Sequence, residues 1–275
     1  MPLPRAPRTM RRRAFLGDVG KGTMAMAVLT PAVLAACSSD SSESAASSTT
    51  TTPSSTTSTS TTTSAAPSTT EPAADGEATM PALQWARTNL GFVSAYVLVR
   101  GTEAAIVDTG VAGSADDIGQ TLADFGLGYG DVRHVIITHL HGDHAGSTAD
   151  VMVRAANATA WAGEADIGGI PLDDIAIADD GAEVFGAQII ATPGHTAGHI
   201  SVYDPMAGLL VAGDAINSMN GGVQGPNPQF TDDLEGANDS ARRLAELSFN
   251  TLLAGHGDPI EDMADTAVKA MAASL

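Results

Sequence analysis

Apolar and polar positions divide the chain into three stretches of different character. A basic start (Arg5, Arg8, Arg11, Arg12, Arg13, Lys21) runs into an apolar segment from Gly22 to Ala36 that contains Pro31. A long polar stretch follows, in which 25 of the 33 residues from Ser38 to Thr70 are Ser or Thr. Strand-like and helix-like patterns begin only near Ala78. From there, compact apolar runs predict strands at Phe92 to Val99, Ala104 to Val107, Val132 to Ile137, Glu183 to Ala191, Ile200 to Tyr203, Leu209 to Val211 and Thr251 to Leu253. Helical spacing predicts helices at Ala115 to Phe125, Thr231 to Leu247 (with Thr231 as N-cap) and Glu261 to Ser274. Strands and helices that alternate in this way, with buried-type strand runs, predict a layered α/β domain over residues 78–275.

The first two stretches read as an address and a tether. A run of fifteen residues is short for a bilayer core of about 30 Å, and a basic start before a short apolar run ending in small residues describes an export signal over residues 1–36. Arg12-Arg13-Ala14-Phe15-Leu16 resembles a twin-arginine motif, with Gly17 where that motif often has Lys. Leu34-Ala35-Ala36-Cys37 resembles a bacterial lipobox, which implies a lipidated Cys37 as the membrane anchor of an exported lipoprotein on the outer face of the cytoplasmic membrane. Residues 37–77 lack the apolar side chains that would offset the entropy of ordering them, so they are expected to form a flexible linker.

Composition narrows the classes. The net charge is −19, and after Cys37 only seven basic residues face 31 acidic ones, so a basic nucleic-acid-binding face is excluded. The single cysteine rules out an internal disulfide and any metal site built from several thiolates of one chain.

The chemistry lies in the histidines. All seven fall in the domain, four of them between positions 134 and 144. Thr138-His139-Leu140-His141-Gly142-Asp143-His144 follows the strand Val135-Ile136-Ile137 directly. At a strand end His139 and His141 point to one side, and Gly142 lets the chain turn so that Asp143 and His144 come round beside them. Imidazole and carboxylate suit zinc, iron and manganese. His195, Asp214 and His256 each sit just past another apolar run, each beside a glycine. Strand-end loops are where an α/β scaffold presents its chemistry. Asp214 has a second reading as a helix N-cap before Ala215-Ile216. His134 reads as a structural residue of its strand, and Trp85 and Trp161 as core rather than pocket.

Taken in order, Asp108-Thr109-Gly110, His139-x-His141-x-Asp143-His144, His195, Asp214 and His256 resemble the metallo-β-lactamase fold superfamily across nearly all of residues 80 to 275. The resemblance implies a four-layer αββα sandwich with a dinuclear metal site at one edge of the two sheets. His139, His141 and His195 would bind one divalent ion, Asp143, His144 and His256 the other, and Asp214 would bridge them. Asp108 would orient ligands, and His199, the second histidine of Gly194-His195-Thr196-Ala197-Gly198-His199, would stand outside the ligand set. The expected metals are two zinc ions, with iron or manganese as alternatives. A metal-bridging hydroxide would attack the ester, thioester, lactone or amide carbonyl of a small-molecule substrate, with Asp143 orienting it or taking its proton.

A bridging Asp214 is similar to the glyoxalase-II-like and lactonase branches, whereas the penicillin-hydrolysing zinc enzymes typically lack it. Only 19 residues follow His256, room for one helix, which argues against the helical extension that holds glutathione in glyoxalase II. The Gly-, Asn- and Pro-rich stretch Asn217 to Phe230 is expected to border the pocket, with Ile167 to Ile177 as its other wall. Two rival readings are a mononuclear iron sulfur dioxygenase of the same fold and a non-catalytic binding lipoprotein.

Overall fold

The computed structural model describes residues 80–275. The expected export signal, Cys37, the Ser/Thr-rich linker and the first two residues of the expected domain lie outside the described residues. Among the described residues no helix is long and apolar enough to cross a membrane.

Two sheets form the centre. The first has six strands in the order β1 (Leu83–Asn89), β2 (Ser94–Arg100), β3 (Glu103–Val107), β4 (Val132–Ile136), β5 (Thr159–Ala162) and β6 (Ala176–Ile177). The second has the order β11 (Thr251–Ala254), β10 (Leu209–Gly213), β9 (Ile200–Asp204), β8 (Ala187–Ala191) and β7 (Glu183–Val184). Helices α1 (Ala115–Asp124) and α2 (Thr148–Arg154) pack on the first sheet, and α3 (Leu234–Leu244) and α4 (Ala264–Ala272) on the second. The order of layers is therefore helix, sheet, sheet, helix, as the resemblance implied.

Strand periodicity explains this stacking. Successive residues of β2 point to opposite faces. Val97 and Val99 join Ile118 and Leu122 of α1 in the outer core, while Tyr96 and Leu98 join Ile189, Val202 and Val211 between the sheets. Both faces are covered, so all seven residues of β2 are buried, and the sequence reads there as a run rather than an alternation. On the far side Leu210, Ala212 and Leu252 meet Leu244 of α3 and Val268 of α4. Burying one such aliphatic side chain stabilises the fold by about 1.5–3 kcal/mol.

Polar clips pin the sheets together. The Arg100 guanidinium, on β2, pairs with Asp204 at the end of β9, and it also donates to the carbonyls of Pro81 and Phe185. Nearer the site, the amide of Ser94 donates to the Gly255 carbonyl (2.9 Å) and that of Ile200 to the Thr138 carbonyl (2.9 Å). Each of these two bonds crosses from one sheet to the other.

Several elements differ from the sequence expectation. The run from Glu183 to Ala191 is a hairpin, β7 and β8, joined by Phe185 and Gly186, both at positive φ (55° and 74°). That is the conformation of a two-residue hairpin turn, hidden here because Phe stands where Asn or Asp usually signals it. Helix α3 starts at Leu234 and is capped by Asp233, whose carboxylate accepts from the Gly236 amide (3.1 Å), not by Thr231. The strand expected from Phe92 starts at Ser94, which leaves Phe92 in the β1–β2 loop. Strands β1, β5 and β6 and helix α2 were not foreseen.

Candidate metal centre

Five strand ends bring the chemistry together. Parallel pairing aligns the C-terminal ends of β3 and β4, with Val107 opposite Ile136, and those of β10 and β11, with Gly213 opposite Ala254. Asp108 follows β3, His139 and His141 follow β4, Asp214 follows β10 and His256 follows β11. His195 sits in the loop from β8 to β9, at the same edge. No helix starts after Asp214, so its reading as an N-cap is excluded.

All seven expected ligands converge. His139, His141 and His195 form one group, Asp143, His144 and His256 another, and His139, His144 and Asp214 a third that links them; in each group the ligand atoms lie within 4.8 Å of one another. Asp214 stands between the first two groups. Its Oδ1 is 3.3 Å from His144 Nε2, and its Oδ2 is 3.2 Å from His256 Nε2 and 3.6 Å from His195 Nε2. The approach is close enough to need Gly255, since a Cβ there would overlap Asp214 Oδ1 and lie 2.6 Å from His144 Cε1.

The outer nitrogens of the rings are already committed. His144 Nδ1 meets Asp108 Oδ2 (2.8 Å), and His256 Nδ1 meets the Phe92 carbonyl (2.7 Å). His139 Nδ1 lies 3.0 Å from the Thr138 hydroxyl, which gives its one proton to Asp108 Oδ2 (2.9 Å). That hydroxyl therefore accepts from His139 Nδ1–H. Thr231 works alike: its hydroxyl donates to the Asn227 carbonyl (2.8 Å) and faces His195 Nδ1 (3.3 Å). Four rings thus engage an outer partner through Nδ1 and turn Nε2 inward. There, His139 Nε2 and His195 Nε2 lie only 3.1 Å and 2.9 Å from His141 Nδ1, and His144 Nε2 lies 3.5 Å from His256 Nε2.

Imidazole nitrogens and carboxylate oxygens that converge in this way, with four of the five rings held by a second partner, are the donor set of divalent cations. A further sign is that two buried side-chain oxygens lack a hydrogen-bond partner among the described residues, Asp214 Oδ1 and Asn217 Oδ1, and both residues line this cleft. The residues fit two divalent ions.

Charge is distributed unevenly within the group. Burial, reinforced by neighbouring imidazoles, holds His139 well below the ordinary histidine range, and burial lowers His195. Burial also opposes charge on His144, but Asp214 and Asp108 outweigh it and hold the ring well above that range. Burial likewise opposes charge on His256, and its contact with Asp214 outweighs this and raises it. Burial alone would raise Asp214, yet His144 and His256 keep its carboxylate well below the usual range, hence ionised.

Two neighbours serve the site without joining it. His199 is buried and neutral, its pKa pushed down by burial to about 3. Its Nε2 accepts from the Asp214 amide (3.0 Å) and its Nδ1 faces the Thr192 hydroxyl (2.8 Å), so neither nitrogen is free and it stands outside the ligand set as expected. Asp166, fully buried, accepts from the amides of Leu140 (3.0 Å) and Gly198 (2.7 Å) and from the Thr196 hydroxyl (2.5 Å). It fastens the His139–His141 loop to the loop that carries His195. The sequence reading missed the roles of Asp166, Thr138, Thr231 and the Phe92 carbonyl. Only Thr138, adjacent to His139, lay where a signal could be sought.

The cleft above these groups has a volume of about 870 Å³. Asn217, Gln224 and Phe230 line it, as expected of that loop, but the segment from Ile167 to Ile177 does not; the other wall is Phe92 and Leu275. Trp85 and Trp161 pack against the core between the sheets, and Trp161 donates to His134 Nδ1 (3.0 Å).

Comparison with known proteins agrees with this architecture. The chain is 31% identical over 196 residues to the uncharacterized protein YobT of Bacillus subtilis (strain 168), covering 60% of this chain and 83% of that one. It is 36% identical over 131 residues to the hydroxyacylglutathione hydrolase of Rhodobacter capsulatus, covering 46% of this chain and 48% of the relative, so it spans about half that protein's length. A metallo-beta-lactamase family protein of Thermus thermophilus shares the fold, with a TM-score of 0.57 at 24% identity over 70% of this chain and 78% of that one. The profile of the Metallo-beta-lactamase superfamily matches residues 88–256, from the end of β1 to the last of the converging histidines. The match takes in every strand end that builds the site, and the chain belongs to that superfamily.

Proposed function

We propose that this chain is a metal-dependent hydrolase that cleaves an ester, thioester, lactone or amide with two divalent cations, zinc foremost. The observation that carries this reading is the pair of ligand groups that share Asp214 at the floor of one open cleft. Relatives named as hydroxyacylglutathione hydrolases support a hydrolytic role. His139, His141 and His195 would hold one ion, Asp143, His144 and His256 the other, with Asp214 between them. When bound, such ions supply a water that ionises near neutral pH and polarise the substrate carbonyl.

The chain's own groups do the rest. Asp108 and Thr138 hold the rings of His144 and His139 so that their Nε2 atoms face inward. Asp143 lines the cleft with its side chain 28% exposed, open enough to orient the attacking water and accept its proton. The acyl carbon gains a bond to the water oxygen, its bond to the leaving oxygen, sulfur or nitrogen breaks, and the leaving group takes up the proton.

Elemental analysis of the full chain, purified without chelators, tests this. Near two zinc per chain is the expected result, with hydrolysis in an ester, lactone, thioester and β-lactam panel that a chelator abolishes and zinc restores. Near one iron with oxygen uptake on persulfides would move the function to sulfur oxidation. A folded chain that takes up no metal when zinc is added would end the proposal.

We further propose that the domain works outside the cytoplasm, tethered through a lipid on Cys37, on the strength of the lipobox and twin-arginine resemblance alone. In a bacterial host the full chain should incorporate labelled palmitate and sediment with membranes, and Cys37→Ser should end both. Unchanged sedimentation of the variant would refute the anchor.

A further inference from the structure

The cleft is chemically lopsided. Its floor is made of His141, Asp143, Asp214 and His256, while its walls are Phe92, Met219, Pro226, Pro228, Phe230 and Leu275. The described residues include ten exposed large apolar side chains, and four of them, Phe92 (63%), Phe230 (59%), Met219 (44%) and Leu275 (36%), are in these walls. The chain has only six phenylalanines, so two left in solvent at one opening are a concentration rather than scatter. Phe92 is held there twice over: its carbonyl accepts from His256 Nδ1 (2.7 Å), and its ring stacks on the His256 ring at 6.1 Å and 13°.

Charge selects further. Among the described residues that line the cleft there is no Lys or Arg; the polar ones away from the floor are the amides Asn217, Gln224 and Asn227. A carboxylate on the distal part of a substrate would find no counter-charge on these walls, and the net charge of the chain, −19, works against its approach. The opening is long enough for more than the reacting carbonyl, since 870 Å³ lies in the upper range of small-molecule pockets.

We propose that the substrate is an uncharged acyl compound whose apolar arm, several methylenes long, lies along the wall of Phe92, Met219, Phe230 and Leu275 while its carbonyl sits over the floor. This rests on the hydrolase reading for the reaction, but the apolar subsite stands on the walls alone. Each methylene that enters such a wall should raise kcat/KM roughly three-fold, or roughly 100-fold from a butanoyl to an octanoyl ester. A succinyl ester, whose carboxylate would have to lose water against Phe230, should fall at least about ten-fold below its butanoyl counterpart.

Two measurements on the full chain test it. One is kcat/KM of the zinc-loaded chain over a series of neutral acyl esters and lactones of increasing length, with the succinyl ester beside them. The other is calorimetric binding of neutral ketones, 2-butanone against 2-decanone, with and without zinc, which needs no turnover. We expect a steep rise with length, tight binding of the longer ketone only, and a heat-capacity decrease on binding. In Phe230→Ser the dependence on length should flatten to under about two-fold per methylene while metal content is retained. Hydrolysis indifferent to length, or a preference for the succinyl ester, would overturn the apolar subsite and leave the hydrolase intact. If nothing in the ester, lactone, thioester and β-lactam panel is cleaved, the hydrolase reading falls, and the ketones still decide the subsite: equal affinity for both would reject it.

Discussion

Replacing Asp214 by asparagine is expected to lower turnover by roughly 10³-fold and to reduce bound metal from two ions per chain toward one. The reason is geometric and electrostatic together. This carboxylate is buried, and its two oxygens face nitrogens of both ligand groups at 3.2–3.6 Å. Asparagine keeps the shape but removes the negative charge that would let two cations share one small space. The backbone should hold, because the Asp214 amide still donates to His199 and Gly255 still leaves room. Metal stoichiometry and kcat measured on one preparation check it. Two retained ions with near-normal turnover would show that Asp214 is not the shared ligand.

Replacing Asp166 by alanine should cost about 3–5 kcal/mol of stability, a large effect for a side chain that touches none of the expected ligands' nitrogens. The carboxylate is fully buried and takes three hydrogen bonds, two of them from backbone amides. Each orphaned donor costs about 1–3 kcal/mol. For a folded part of this size that corresponds to a melting temperature lower by roughly 10 °C. Because the same bonds fasten the His139–His141 loop to the His195 loop, zinc affinity should also fall about 10–100-fold. Asp166→Asn, which keeps one oxygen, should lose less of both. Thermal melts and zinc titrations of the two variants decide it; an alanine variant as stable as the parent would refute the fastening role.

The elements that sequence revealed share one property: their burden falls on contiguous residues. His139, His141, Asp143 and His144 crowd into six positions past an apolar run, and β2, β3 and β10 are apolar along nearly their whole length, so pattern and chemistry could both be seen. What stayed hidden depends on folding. Strand β1 alternates weakly because it lies at the sheet edge, half in solvent. Strand β5 has four residues and α2 only seven, too short for a period to register. Phe92 belongs to an apolar stretch and so read as strand, yet it lies beyond the first ladder pair, with Ser94 opposite Asn89. Asp166 lies 25 residues past His141 in an unremarkable Glu-Ala-Asp, and only the tertiary fold shows what its carboxylate receives. Thr231 looked like a cap because hydroxyls cap helices; Asp233 took that place, which left Thr231 to face His195.

The commitment of the outer ring nitrogens has a consequence for how the stability of the domain is distributed. Among the described residues, nearly every buried polar side-chain atom has a partner, the exceptions being Asp214 Oδ1 and Asn217 Oδ1. The floor of the cleft is different, because the ligand atoms of five imidazoles and two carboxylates crowd together there, with His141 Nδ1 3.1 Å and 2.9 Å from His139 Nε2 and His195 Nε2. Asp108, Thr138, Thr231 and the Phe92 carbonyl hold four of these rings in place through their outer nitrogens, so the fold gathers like groups at one point and keeps them there before any ion is bound. Preorganisation of this kind moves the cost of assembling the site from the moment of ion capture to the moment of folding. Little of the free energy of capture is then diverted into rearranging side chains.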